Sequence, residues 1–292
     1  MKNILVTGAY GQLGNEVRIL SANYPQYNFM FTDVDSLDIT DKNELIDFVT
    51  GNDIRYIINC AAYTAVDKAE DDAELCEKIN ATAVKNLGIA AAEVGAGIIH
   101  VSTDYVFDGT SCRPYTEDMP TKPCSVYGKT KLKGEKNLLK ACPNAIIIRT
   151  AWLYSPFGNN FVKTMIKLGS ERESLNVIFD QVGTPTYALD LADAILKAMD
   201  QTIDTDHEKG GVYHFSNEGV CSWYDFTIKI HEIAGINTCK VNPIETKDYP
   251  TKAARPHYGV LNKSKIKQTF NISILHWEES LKKCIKELSE QE

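Results

Sequence analysis

Tyr127 and Lys131 stand four residues apart in Val126-Tyr127-Gly128-Lys129-Thr130-Lys131-Leu132, a segment with the pattern of a helix start, so both side chains project from one face. A phenol beside an ammonium suits carbonyl reduction. As hydride reaches a carbonyl carbon, charge grows on its oxygen, which needs a proton and a hydrogen bond. Tyrosine has a reference pKa of about 10, and the neighbouring ammonium is expected to favour the phenolate and bring the group toward working pH. Spacing alone is weak, because with 14 tyrosines such a pair arises about once by chance. Context strengthens it: Thr103 lies in Ser102-Thr103-Asp104, where the apolar run Gly97–Val101 ends, and offers a second hydroxyl to a substrate oxygen.

The second chemical signal is Gly8-Ala9-Tyr10-Gly11-Gln12-Leu13-Gly14, three glycines at G-x-x-G-x-x-G spacing directly after the run Asn3–Thr7. Glycine lets backbone approach a pyrophosphate, and first-turn amides with the helix dipole favour its charge. The loop residues Gly8, Tyr10, Gly11, Gln12, Leu13 and Gly14 are therefore candidate dinucleotide contacts. Asp33 follows at the end of the next strand, placed to accept both ribose hydroxyls of an adenosine. No Arg or Lys lies between Tyr27 and Asp41, so a 2′-phosphate would meet a carboxylate and no local cation, which leans toward NADH over NADPH. Asp38 and Ile39 are candidates to flank the adenine, although Asp38 equally suits the turn ahead of a helix.

The elements that must position these groups alternate in type. Strands are expected at Asn3–Thr7, Asn28–Asp33, Tyr56–Asn59, Gly97–Val101 and Ala145–Arg149, with helices from Gly11 to about Ala22 and over about 41–50, 67–94 and 128–141. That is the βαβ signature of a doubly wound parallel sheet, in which ligands bind outside the carboxyl ends of the strands. Residues 1–155 are expected to form a Rossmann-type dinucleotide-binding domain, with late sheet elements from about 180–215. After the turn-rich Ser155–Asn160 the alternation loosens: a short strand at Leu175–Phe179, helices at Tyr187–Met199, 223–234 and 277–288, and a polar acidic stretch, Thr202–Gly211. Residues 156–292 are read mainly as a smaller, interleaved α/β substrate-binding lobe.

Composition narrows the function. The chain has 292 residues with net charge −8, which argues against nucleic-acid or membrane-surface binding, and no run approaches the length of a membrane span. A cytoplasmic protein is expected. The eight cysteines are scattered singly with no zinc spacing and read as reduced thiols, Cys60 being a small buried filler.

Taken together, the chain resembles the extended short-chain dehydrogenase/reductase family over nearly its whole length. The resemblance rests on Val6 through Gly14, Asn59-Cys60-Ala61-Ala62-Tyr63-Thr64-Ala65-Val66-Asp67-Lys68-Ala69-Glu70, Ser102 through Gly109, Val126 through Lys131, Arg149-Thr150-Ala151-Trp152, Gly158-Asn159-Asn160-Phe161, Asp180 through Thr186, and Arg255-Pro256. It implies a catalytic set of Thr103, Tyr127 and Lys131. The implied substrate is dTDP-4-dehydro-L-rhamnose, its 4-keto group reduced by NADH or NADPH for cell-surface polysaccharide synthesis. Cys60, Ala61 and Ala62 then join Tyr127 and Lys131 at the cofactor, and Val66, Asp67, Tyr105 and Trp152 surround the sugar. An indole suits the apolar face of a deoxyhexose, and Asp67 a sugar hydroxyl. An anionic nucleotide sugar on an acidic protein needs local cations and donors, for which Asn160, Lys163 and Arg255 are candidates; Asn160 equally suits a helix cap. Some relatives carry magnesium at a carboxylate-lined dimer contact, but Thr186-Tyr187-Ala188-Leu189 offers no acid, and no metal is expected. The sequence is silent on oligomeric state, a homodimer being one assembly open to it. Two other functions stay open: reduction of another nucleotide-linked keto-deoxyhexose, or a non-catalytic dinucleotide-binding subunit that regulates a partner.

Overall fold

The computed structural model describes residues 1–205 and 209–290. Its frame is a six-stranded parallel sheet built from β1 (Lys2–Thr7), β2 (Tyr27–Thr32), β3 (Ile54–Asn59), β4 (Gly97–Thr103), β5 (Ile146–Thr150) and β10 (Gly211–His214), in the spatial order β2-β1-β3-β4-β5-β10. Successive side chains point to opposite faces of a strand. Ile4, Val6, Tyr56, Ile58, Ile146 and Ile148 accordingly join one core with α1 (Gln12–Ser21) and α7 (Ala188–Thr202). Leu5, Ile57 and Ile147 join the opposite core, with α2 (Lys42–Gly51) and α4 (Val84–Val94). Strand order reverses between β1 and β3, which opens a crevice at their carboxyl ends.

Between β3 and α4 the chain departs from the single helix expected over 67–94. A 3₁₀ turn at Lys68–Glu70 is followed by α3 (Ala73–Glu77) and a π-helical turn at Lys78–Ala83. The widened turn presses the Asn80 carbonyl against α5 (Val126–Ala141), where a Cβ on Gly134 would lie 2.1 Å from it. Asn80 also clamps the Tyr63 backbone, accepting from its amide at 2.9 Å and donating to its carbonyl at 3.0 Å. Tertiary contacts at the crevice thus override helical periodicity.

Beyond β5 the short strands pair locally: β6 (Leu153–Tyr154) with β9 (Thr186–Tyr187), β7 (Ser174–Ile178) with β12 (Lys240–Ile244), and β8 (Val182–Gly183) with β11 (Cys221–Ser222). With α6 (Phe161–Glu171), α8 (Trp223–Ile233) and α10 (Trp277–Glu290) they enclose a separate core that includes Tyr154, Val162, Phe226, Ile230, Trp277 and Leu281. By contrast, α9 (Ser264–Phe270) and β10 return to the main sheet. The centre of the polar stretch Thr202–Gly211, residues 206–208, lies outside the described residues. Among the described residues no helix is long and apolar enough to cross a membrane.

Candidate active site

Two cavities meet at Asp104, Tyr105 and Trp152. The first, about 520 Å³, opens at the carboxyl edge of the sheet and is lined by Gly11, Gln12, Leu13, Cys60, Ala62, Val66, Thr103, Tyr127 and Lys131, among others. Gly8 turns the chain at φ +67, and a Cβ there would sit 2.6 Å from the Ala61 amide nitrogen. A Cβ on Gly14 would lie 2.3 Å from the Gly8 carbonyl, whereas one on Gly11 would meet only that carbonyl, at 3.4 Å. Gly8 and Gly14 therefore compact the loop, and Gly11 leaves it open to a ligand. The Ser102 hydroxyl, buried in the same wall, finds no partner among the described residues. This cradle and its donors fit a dinucleotide.

The helix bearing Tyr127 is held by its first turn. Ser125 caps it by accepting from the Gly128 amide at 3.1 Å, and Glu70 accepts from the Val126 amide at 2.9 Å. Gly128 permits the close approach, since a Cβ there would be 2.3 Å from the Tyr105 carbonyl. The Tyr127 ring lands edge-on to Tyr105, with centroids 5.4 Å apart, and its hydroxyl hydrogen-bonds Thr103. Thr103 in turn donates to Asp104 Oδ1 at 3.1 Å and accepts from the Tyr105 amide at 3.2 Å. One turn on, buried Lys131 donates from Nζ to the Val101 carbonyl at 2.7 Å. The three predicted hydroxyl and amine groups thus line one crevice.

Their electrostatics differ from the expectation. Burial pushes the Tyr127 phenol well above its ordinary value, with the Thr103 hydrogen bond pulling the other way. Burial likewise lowers Lys131 to about 8, against opposing pulls from Glu135 and Cys76. The ammonium is spent on the Val101 carbonyl, so desolvation outweighs the predicted drop in the phenol's proton affinity. Asp104, missed as a site residue although it follows Thr103, is pushed by burial to about 7 despite its hydrogen bonds. Burial of its thiol pushes Cys60 up to about 12, but the residue is only partly buried and lines the crevice instead of filling the core as expected.

Around the adenosine end the picture is mixed. Asp33 accepts from the Tyr10 amide at 3.0 Å and the Val34 amide at 2.9 Å, fixing its carboxylate beside the exposed Tyr10 ring. Asp38 is committed to a turn, accepting from the Thr40 amide at 2.8 Å, and Ile39 packs into the core on the α2 side of the sheet. Asp38 thus serves the turn ahead of α2, the second of the two roles its sequence position suggests. Local sequence also missed a cation, because Arg18 reaches forward from α1 to sit 5.3 Å from the Tyr10 ring centroid and 4.6 Å from that of Phe31.

The second cavity, about 680 Å³, lies under the smaller lobe and is lined by Asp67, Trp152, Phe161, Met165, Gln181, Trp223 and Arg255, among others. Asp67 is paired with Arg255 at 2.6 Å rather than left free for a sugar hydroxyl, and it also accepts from the Ala253 amide at 3.1 Å. Trp152 adopts a left-handed backbone at φ +49, stacks on Trp223 at 3.5 Å, and lies where a Cβ on Gly183 would come within 2.8 Å of its ring. Asn160 lines the first cavity and at the same time caps α6, its amide donating to Gln12 Oε1 at 3.0 Å and the Ser155 carbonyl at 2.7 Å. Lys163 folds back to the Pro156 carbonyl at 3.0 Å and lines neither cavity.

Among the described residues no three potential ligands are grouped to hold a metal. Among the described residues neither oxygen of buried Glu16 has a hydrogen-bond partner, and burial pushes the carboxyl to about 8, with Glu287 and Asp190 adding to the shift. Asp190 is already engaged by Asn217 and Ser280, and Glu287 by the Tyr187 hydroxyl.

Comparison with known proteins gives a consistent picture. The family described as RmlD substrate binding domain matches residues 1–290. The dTDP-4-dehydrorhamnose reductase of Aggregatibacter actinomycetemcomitans is 41% identical, over 97% of this chain and 98% of its own. A crystal structure of a dTDP-4-dehydrorhamnose reductase from Clostridium acetobutylicum superimposes with TM-score 0.93 at 45% identity, covering 98% of this chain and 99% of its own. One from Bacillus anthracis, in complex with NADP, gives TM-score 0.92 at 38% identity, covering 98% and 100%.

Proposed function

The chain belongs to the RmlD substrate-binding-domain family, and from that premise we propose that it reduces the 4-keto group of dTDP-4-dehydro-L-rhamnose to dTDP-L-rhamnose with NADPH or NADH. The observation that carries this reading is the meeting of Thr103, Tyr127 and Lys131 in a crevice whose floor is the glycine cradle. Reduced nicotinamide would supply hydride to the sugar's C4. Gly8, Gly11, Gln12, Leu13 and Gly14 would hold the pyrophosphate on the α1 amides, with Cys60, Ala61 and Ala62 forming the opposite wall and Asp33 receiving the ribose.

Tyr127 donates its proton to the oxygen that becomes negative. Burial keeps that phenol protonated at neutral pH, which is the form reduction requires. Thr103 hydrogen-bonds the same oxygen, and Lys131 holds the nicotinamide ribose while its charge steadies the phenolate as it forms. Residues 1–155, with elements from 180–215, serve the dinucleotide; residues 156–292 mainly serve the nucleotide sugar. There Trp152 offers its ring to the deoxyhexose methyl face, Val66 and Tyr105 flank the sugar, and the Arg255–Asp67 pair faces the polar end of the substrate. The product is an activated deoxyhexose donor for polysaccharide synthesis.

Steady-state reduction of dTDP-4-dehydrorhamnose, set against GDP- and UDP-linked keto-sugars, tests the assignment. Preference for the dTDP compound is expected. Faster turnover of a GDP- or UDP-linked sugar would reassign the substrate, and dinucleotide binding without turnover of any would leave a regulatory subunit.

A further inference from the structure

Behind Lys131 runs a line of buried polar side chains that the reaction outlined above does not use. Thr7 precedes the glycine loop, Asn59 ends β3 and His100 lies in β4; these residues pair across three adjacent strands, Thr7 with Asn59 and Asn59 with His100. All three are at most 1% exposed. Thr7 donates to Asn59 Oδ1 at 2.7 Å and the Ala61 amide donates to the same oxygen at 3.0 Å. Two donors on one oxygen fix which way the amide points, so Asn59 Nδ2 is the atom that faces His100 Nδ1, at 2.8 Å.

An amide NH₂ only donates, so Nδ1 must accept. Desolvation, reinforced by Lys131, holds the His100 imidazole well below its ordinary pKa, and it is neutral. A neutral imidazole that accepts at Nδ1 carries its proton on Nε2. That nitrogen is the one 3.4 Å from Lys131 Nζ. The lysine therefore meets an N–H dipole with its positive end forward, which a free amine can accept and an ammonium cannot.

Building on the reductase reading, we propose that His100 is a positioning residue for Lys131: its Nε2–H, set by Asn59, lowers the lysine's proton affinity and so fixes the upper pH limit of the reductase. The other titratable groups around the amine are accounted for. Glu135 on α5 favours the ammonium but is itself bound by Arg149 through two hydrogen bonds, at 2.9 and 2.7 Å. Cys76 on α3 also favours it, and Tyr127 lies one helical turn back. Since burial brings Lys131 to about 8, the ammonium that supports Tyr127 is present below that pH and lost above it.

The experiment pairs NMR with kinetics. In ligand-free protein labelled with [¹⁵N]histidine and [¹³C]lysine, His100 is expected to show protonated Nε2 and bare Nδ1 without titrating, while Lys131 titrates near pH 8. Asn59→Asp replaces the donor facing Nδ1 with an acceptor; the tautomer should reverse and Lys131 should titrate about one pH unit higher. The alkaline limb of kcat/KM should move with it. His100→Gln, which keeps an N–H toward the amine, should leave that limb in place, and it separates dipole from added charge. A wild-type Nδ1–H tautomer, or a His100→Gln limb displaced as far as that of Asn59→Asp, would overturn the proposal. The NMR arms need no substrate, so a wrong substrate assignment would show as lost turnover with an intact tautomer.

Discussion

The cavity at the sheet edge and the cavity under the smaller lobe share Asp104, Tyr105 and Trp152, yet they are built in opposite ways. The first is made of strand ends and the loops directly after them, so neighbours in space lie in short contiguous motifs, and its geometry follows from sheet register. The second is assembled from α6, β7, β8, α8 and the irregular 244–259 segment, whose residues meet only through packing. On the proposed function, the parallel sheet would supply a fixed place for the reaction, and the separately packed lobe would supply specificity.

Substitutions on the two sides should separate accordingly. Tyr127→Phe should cost at least ~10²-fold in kcat with an unchanged melting temperature, since only the proton donor is lost; an equally active variant would break the division. On the other side, Arg255→Ala leaves Asp67 unpaired and should lower kcat/KM for the nucleotide sugar by roughly 10- to 100-fold while dinucleotide affinity holds, as measured by titration and initial rates. Gly183→Ala pushes on the Trp152 ring and should raise KM about tenfold with little change in kcat. Arg18→Ala should reduce the NADPH-to-NADH preference severalfold in side-by-side kcat/KM, with sugar binding unaffected.

Asp104 belongs to both cavities and offers a pH test. Its carboxyl is held at about 7, above its unfolded value, so the protonated form is favoured in the native state. The native state should therefore lose stability as pH rises from about 4 to about 7, and Asp104→Asn should flatten that slope in urea-midpoint measurements.

Legibility in the sequence follows the same division. Strand periodicity and the glycine spacing locate β1 to β5, and Thr103, Tyr127 and Lys131 fall in the crevice because each sits at a strand end or helix start. The continuous helix over 67–94 fails because Asn80 serves tertiary contacts, which periodicity does not record. Polarity alone does not separate Asn160, which caps α6 and still lines the crevice, from Lys163, whose amine turns back to the Pro156 carbonyl and lines neither cavity. Arg18 was missed because a cation search confined to the residues around Asp33 cannot see across to α1. His100 and Asn59 give no motif signal, for their relation exists only once adjacent strands are in register.

A crystal structure with oxidised dinucleotide and dTDP-L-rhamnose bound together tests the central claim most directly. Carbon 4 of the sugar is expected between the nicotinamide ring and the Tyr127 hydroxyl, with Thr103 on the same oxygen. A sugar seated with that carbon out of reach of both hydroxyls, or a dinucleotide bound away from the glycine cradle, would contradict the account.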